Sequence, residues 1–183
     1  MRRFIWATLY VTVGVAAGCI SAFALIQQAG VKSVAAGEPW QSRAAAMAGP
    51  DAFYVRSHYL LEGRLPPAPS QLGEATADTD SDGNPLSGGC SYLITSMGPL
   101  PRWWSLGIIG SGEERAALQS TADSDTAVRE ADGSVTITAA TTPQPGNWLK
   151  VPALRRLTLI YSALASSQRT VEPPFTIKRG ICS

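Results

Sequence analysis

The residues that nucleophilic catalysis would need are few in this sequence and poorly spaced. His58 is the single histidine, so a Ser-His-Asp arrangement would have to use it. Ser111 lies between two glycines but lacks the G-x-S-x-G spacing of a nucleophile elbow. We expect His58 to be a partly exposed helix residue. Whether the protein is an enzyme is therefore left uncertain, and the sequence favours a protein without a catalytic site.

A run of alternating carboxylates is the second feature that could carry chemistry, as a set of metal ligands. Asp78, Asp80 and Asp82, followed by Gly83, match the opening of a calcium-binding loop. The twelfth position of such a loop should be a bidentate Glu, but it is Gly89. A solvated hairpin tip explains the same residues, since Asp and Gly favour turns. We keep these aspartates as a weak calcium candidate and predict no cofactor.

Two of the three cysteines lie in the part of the chain that we expect to be exported to an oxidising compartment. Cys90 and Cys182 lie in the polar part of the chain, where an even pair is most simply a disulfide. Two separate buried thiols are the alternative. Cys19 stands in an apolar run as the last residue of a loosely written lipobox (residues 15–19), so acylation of this residue is left open.

The elements that position these residues begin with an apolar segment. Residues 4–26 carry no charge, and a helix of that length spans roughly 35 Å, enough to cross a bilayer core of ~30 Å. Arg2 and Arg3 precede it, which favours a cytoplasmic N-terminus and an exported remainder. A cleaved secretory signal is the alternative, although its apolar region would be shorter. Gly14, Gly18 and Ala22 are spaced for a helix dimerisation face.

Composition and patterning predict a small domain of short strands. Thirteen prolines and seventeen glycines are spread along the chain, as in strands joined by turns. A short amphipathic helix is predicted over residues 51–62, with the apolar side chains of Phe53, Tyr54, Leu60 and Leu61 on one face. Strands are predicted over residues 71–79, 91–95, 103–109, 134–139, 156–162 and 176–181. The fold class is mainly β, an antiparallel jelly-roll-like sandwich behind one transmembrane helix.

We divide the chain into a transmembrane anchor (1–28), a spacer (29–49) and a β-sandwich domain (50–183). The net charge is +1, and no basic run is present. Nucleic acid binding is therefore not expected, because it needs a cationic surface.

Aromatic residues are the best candidates for binding. Trp103 and Trp104 should point to opposite faces of a strand, so one can reach solvent while the other is buried. Arg102, Asn147 and Trp148 are the polar and aromatic neighbours we group with them as a ligand or partner site.

Several strings in this order resemble one family. They lie at residues 78–92, 101–106, 132–134, 146–149, 156–161 and 173–177. Together they resemble the DUF1214 family in its short, membrane-anchored alphaproteobacterial form, over roughly residues 50–183. The resemblance implies a jelly-roll-like sandwich, often encoded near a DUF1254 partner, and no established activity. Residues 107–112 depart from the family pattern, so a function in that loop would be in doubt.

The leading hypothesis is a single-pass inner-membrane protein whose periplasmic domain is a binding or assembly module of the cell envelope. The alternative is a ligand-binding or hydrolytic enzyme acting on an envelope molecule through the sandwich cleft. Expected partners are the membrane, an envelope protein of the DUF1254 type, and a second copy of this chain.

Overall fold

The computed structural model describes residues 2–34, 38–68, 70–98, 100–110, 120–164 and 173–182. Ser111 and Gly112 lie outside these ranges, whereas residues 107–110 of the departing stretch lie within them. The described chain holds two α-helices, α1 (Arg2–Gln28) and α2 (Ala52–Leu61), and one short 3₁₀ helix (Ala44–Ala48). Its strands are β1 (Lys32–Ser33), β2 (Trp40–Ser42), β3 (Leu72–Ala77), β4 (Cys90–Ser96), β5 (Trp104–Gly110), β6 (Ser120–Asp123), β7 (Thr136–Ala140), β8 (Asn147–Lys150), β9 (Leu157–Leu164) and β10 (Phe175–Cys182). All six predicted strand segments are present.

Helix α1 is the predicted apolar segment. Within Arg3–Gln28, the most apolar stretch of 18 residues has a mean hydropathy of 2.1, and none of it is buried by the rest of the protein. The helix is thus long and apolar enough to span a membrane. Beside Gly14 and Gly18 the space is open, with nothing within 4 Å of where a Cβ would lie. Self-association through this face stays a prediction.

The strands form two sheets. The six-stranded sheet has the order β1-β2-β3-β9-β5-β6 and is antiparallel throughout. The four-stranded sheet has the order β10-β4-β7-β8. Its β7–β8 pair is parallel, which a purely antiparallel prediction did not include. The fold is mainly β and sandwich-like.

Aromatic side chains from the two sheets meet in the core. Phe175 of β10 lies 5.8 Å from Trp104 and 5.5 Å from Tyr161, measured between ring centroids. Trp104 and Tyr161 come from β5 and β9 of the larger sheet, so these contacts join the layers. Large buried rings of this kind contribute much of the apolar burial that stabilises a sandwich.

The segment predicted as a spacer contributes to the sheet and the core. Trp40 of β2 is fully buried and pairs with Ala77 of β3. Its indole Nε1 donates a hydrogen bond to the Phe175 carbonyl, 2.8 Å away. The folded domain therefore begins before residue 50. Strands of two and three residues surrounded by Ala and Gly are too short to give a periodic signal, so the prediction missed them.

Helix α2 lies where predicted, but the opposite face is buried. Val55, His58 and Tyr59 face inward, and Val55 and Tyr59 form a small cluster with Ala46 and Met47. The predicted apolar face is turned outward, with Phe53 74% exposed. The face of α2 that packs against the domain carries both apolar and polar side chains, and the polar ones are hydrogen-bonded to other residues of the protein. Helical periodicity of apolar residues does not reveal such a face.

The predicted disulfide is confirmed. Cys90 and Cys182 are bonded and stand opposite each other in the β4–β10 pair. The bond fastens the end of the chain to the smaller sheet. Cys19 is a free cysteine exposed on α1.

Candidate binding groove

A large groove lies over the outer face of the six-stranded sheet. Its volume is about 1410 Å³, and we call it the sheet groove. The floor comes from outward-facing positions of β3, β9, β5 and β6, and the opposite wall from the end of α1 and from α2. The residues that matter below are Phe23, Gln27, Arg43, His58, Glu62, Arg64, Glu74, Thr76, Ser105, Ile109, Ile160 and Ser162.

Strand alternation explains the character of the floor. In β5 and β9 the side chains of Leu106 and Tyr161 point into the core. The intervening residues face the groove, where Ser105 pairs with Ser162 across the two strands. Small hydroxyl side chains leave room above the sheet, while Ile109 adds an apolar surface. The floor is therefore both roomy and amphipathic.

A chain of charged groups lines the wall beside α2. Glu74 of β3, largely buried, accepts hydrogen bonds from the Tyr59 hydroxyl at 2.9 Å and from Arg64. Arg64 also pairs with Glu62, with Nη1 3.4 Å from Oε2. Glu62 in turn lies 3.2 Å from His58 Nε2. The network ties the last turn of α2 to the central part of β3.

The network keeps the Glu62 carboxylate ionised. Burial alone would raise the pKa of Glu62, but the hydrogen bond from His58 and the nearby charges of His58, Arg64 and Arg43 outweigh it, so the pKa lies below its usual value. The pKa of Tyr59 is raised by burial and by the neighbouring Glu74 carboxylate. Tyr59 therefore stays a neutral hydrogen-bond donor.

Arg43 joins the groove to the apolar helix α1. Its Nη2 donates a hydrogen bond to the Gln27 carbonyl, 3.0 Å away, in the last turn of α1. A cation at a helix C-terminus is favourable because it satisfies free carbonyls and complements the helix dipole. Burial lowers the pKa of Arg43, although the guanidinium stays charged at neutral pH.

Two nitrogen atoms on this wall have no hydrogen-bond partner in the described part of the chain. They are Nε of Arg43 and Nδ1 of His58, and both atoms are buried. Buried polar atoms are normally hydrogen-bonded, so such exceptions point to strain or to function. His58 is 4% exposed, which corrects the prediction of a partly exposed residue. Its pairing with Glu62 makes that burial acceptable.

The predicted aromatic site is split between elements. Trp104, the first residue of β5, is fully buried, while Trp103 is 38% exposed and Arg102 is exposed, both just before the strand. Asn147 and Trp148 lie on β8 of the other sheet. None of these five residues lines the sheet groove.

The amide of Asn147 is engaged within the protein. It accepts a hydrogen bond from the Val128 N–H and donates to the carbonyls of Val128 and Thr136. The Trp148 indole donates to the Ala140 carbonyl. These bonds fix the segment between β6 and β7 against β8.

The aspartates of the calcium-like loop are also engaged. Asp80 is 1% exposed, accepts backbone hydrogen bonds from Asp82 and Asn84, and pairs with Arg179 at 3.0 Å. Asp78 accepts a hydrogen bond from Thr158. Burial would raise the pKa of Asp80, but the Asn84 hydrogen bonds and the Arg179 charge outweigh it and lower it. Within the described ranges, no three His, Cys, Asp or Glu residues converge on a metal position.

Sequence reasoning missed the charged residues of the groove. Glu74 falls inside a predicted strand, and a carboxylate in a strand that is otherwise buried was the available signal. Arg43 lies in the Ala-rich stretch that was predicted as a spacer, and nothing in the sequence marked it as a groove residue.

These features define a two-sheet β protein with an N-terminal apolar helix and a groove between them. The sequence matches the DUF1214 family, described as a protein of unknown function, over residues 73–168 of 183. The chain belongs to this family. Among curated proteins, none matches it.

Two solved structures are similar to the chain. The VPA0106 protein from Vibrio parahaemolyticus has a TM-score of 0.57 and 19% identity, and the match covers 91% of this chain and 44% of that one. An uncharacterised protein from Burkholderia cenocepacia has a TM-score of 0.48 and 21% identity, covering 62% of this chain and 30% of that one. The chain thus spans less than half of either protein. The Vibrio likeness shows that the shared fold extends beyond residues 73–168.

Proposed function

We propose that this protein is a single-pass inner-membrane protein that binds an amphiphilic molecule of the cell envelope in the sheet groove, on the periplasmic side. The observation that carries the proposal is the composition of the groove wall. Phe23 and Gln27 of α1 line the same space as the outer face of the sheet. A ligand there lies beside the point at which the helix leaves the membrane.

The lining suits a ligand with an apolar part and a polar, oxygen-rich part. Ile109, Ile160 and Phe23 offer apolar surface, and Arg43 and Arg64 offer positive charge. The unpartnered Nε of Arg43 is a donor for a ligand oxygen. At about 1410 Å³ the groove exceeds the ~300–1000 Å³ of ordinary small-molecule pockets, which favours an elongated ligand.

The periplasmic location rests on two further features. Arg2 and Arg3 precede the apolar helix, and basic residues favour the cytoplasmic side. The Cys90–Cys182 disulfide fits an oxidising compartment. A fusion of alkaline phosphatase to the C-terminus of the full chain should be active in cells. An inactive phosphatase, with a fluorescent protein bright at the same position, would contradict this topology.

Ligand binding is tested by purifying the full chain from membranes in mild detergent and identifying bound small molecules by mass spectrometry. Ser162→Trp fills the groove floor and should abolish retention. Thr138→Trp, on the outward face of β7 in the other sheet, is the matched control and should retain the ligand. A stoichiometric protein partner with no small molecule in either variant would favour an assembly role, including pairing with a DUF1254-type protein.

A second candidate function is hydrolysis of the bound molecule. It is favoured by one observation, the His58–Glu62 pair on the groove wall. A histidine oriented by a carboxylate can act as a general base. If the protein is a hydrolase, His58→Gln should abolish turnover of a retained ligand. If it only binds, the unmodified protein and His58→Gln should both release that ligand unchanged.

A further inference from the structure

Helix α2 carries a second apolar face that the domain does not cover. Phe53 is 74% exposed, Leu60 66% and Leu61 46%, and Leu65 just beyond the helix is 86% exposed. Phe53 and Leu60 are seven residues apart, so they lie on the same side of the helix. Val55, on the opposite side, is fully buried. Clustered apolar side chains of this size mark an interaction surface.

Helix α2 is held beside the last turn of α1, and this position indicates what covers its apolar face. The two helices pack against each other. Gly30, with φ of +70°, lies so close to α2 that an added Cβ would be 2.6 Å from Val55 Cγ2. Together with the bond from Arg43 to the Gln27 carbonyl, this contact holds α2 at the level of the last turn of α1.

The length of α1 places that level at the lipid surface. Its 27 residues span about 40 Å, whereas the hydrocarbon core is ~30 Å thick. The last turn therefore reaches the headgroup region when the helix spans the bilayer. Ile26 and Gln27 are already partly covered by the domain. Helix α2, which packs beside this turn, therefore lies at the interface between the bilayer and water.

We propose that the outer face of α2, made of Phe53, Leu60 and Leu61 with Leu65 beyond it, lies in the interfacial region of the bilayer that α1 spans. Arg56 is exposed on the same side and can reach lipid phosphates, as basic residues of interfacial helices do. The domain is then attached to the membrane by the anchor and by this face. The attachment fixes the opening of the sheet groove relative to the lipid surface.

The test measures the depth of single nitroxide labels on the full chain in nanodiscs of phosphatidylethanolamine and phosphatidylglycerol. Leu60→Cys and Phe53→Cys are made in a Cys19→Ser background; Cys90 and Cys182 are bonded and do not react. Val128→Cys is the matched control, because Val128 is 69% exposed in the segment between β6 and β7. Each label is examined with oxygen, which partitions into lipid, and with a water-soluble nickel chelate.

Labels at Leu60 and Phe53 should collide more with oxygen than with the chelate, and the label at Val128 should show the reverse. Chelate access at Leu60 equal to that at Val128 would overturn the proposal. Spin–spin broadening between labels at Leu60 would also overturn it, because it would show that a second copy covers the face. Equal urea midpoints for the labelled and unlabelled proteins confirm that the fold is unchanged.

Discussion

Replacing Trp40 by alanine tests whether the segment after α1 belongs to the folded domain. Trp40 is fully buried, lies 6.3 Å from the Tyr161 ring, and donates to the Phe175 carbonyl. Truncating a buried aromatic residue to alanine costs about 3–5 kcal/mol, and losing the hydrogen bond adds about 1 kcal/mol. We therefore expect the free energy of unfolding to fall by about 4–6 kcal/mol. A residue in a solvated spacer would change it by less than about 0.5 kcal/mol.

The assay is pulse proteolysis of the full chain in detergent across a urea series. Because domains of this kind have only about 5–15 kcal/mol of stability, Trp40→Phe is measured beside the alanine variant. Phenylalanine keeps an aromatic ring but loses the N–H, so it should cost about 1–2 kcal/mol. Trp103→Ala is the control, since Trp103 is 38% exposed and should cost less. Unchanged midpoints for both Trp40 variants would refute the reasoning.

Three other predictions concern the bonds that hold the fold. Replacing Cys90 and Cys182 by alanine should lower the free energy of unfolding by about 2–4 kcal/mol, since the bond closes a long loop, without releasing the protein from membranes; an unchanged urea midpoint would contradict this. Asp80→Asn should cost about 1–3 kcal/mol by urea unfolding, because it removes the charge facing Arg179. The pKa of Glu62 is lower in the folded state than in the unfolded chain, so the unfolded chain binds more protons as the pH falls. The free energy of unfolding therefore decreases as the pH falls from the unfolded-state pKa through the folded-state pKa. Glu62→Gln should flatten the decline of the urea midpoint between neutral pH and about pH 3, and an unaltered slope would argue against this role.

The sequence was informative wherever a pattern repeats or a residue type has few uses. The β4, β7 and β9 segments alternate or run apolar over five or more residues, and two cysteines in one domain leave little choice of pairing. The apolar helix α1 was predictable for the same reason, since its charge-free run is long. In each case local physics and the final fold agree.

The candidate site was much less predictable, because it depends on contacts between distant segments. The inner face of α2 is set in part by Glu74, which accepts the hydrogen bond from Tyr59 only after β3 and the helix have packed together. Periodicity alone therefore did not identify the buried face. Trp40 likewise finds its partner, Phe175, at the other end of the chain. No local signal marks such pairs.

The most direct test of ligand binding in the sheet groove is photo-crosslinking in living cells. A benzophenone amino acid replaces Ile109, which lines the groove, or Thr138, which lies on the other sheet. After irradiation the full chain is purified and its intact mass is measured. The account predicts a discrete small-molecule adduct at position 109 that is absent at position 138. An unmodified chain at position 109, or the same adduct at both positions, would contradict it.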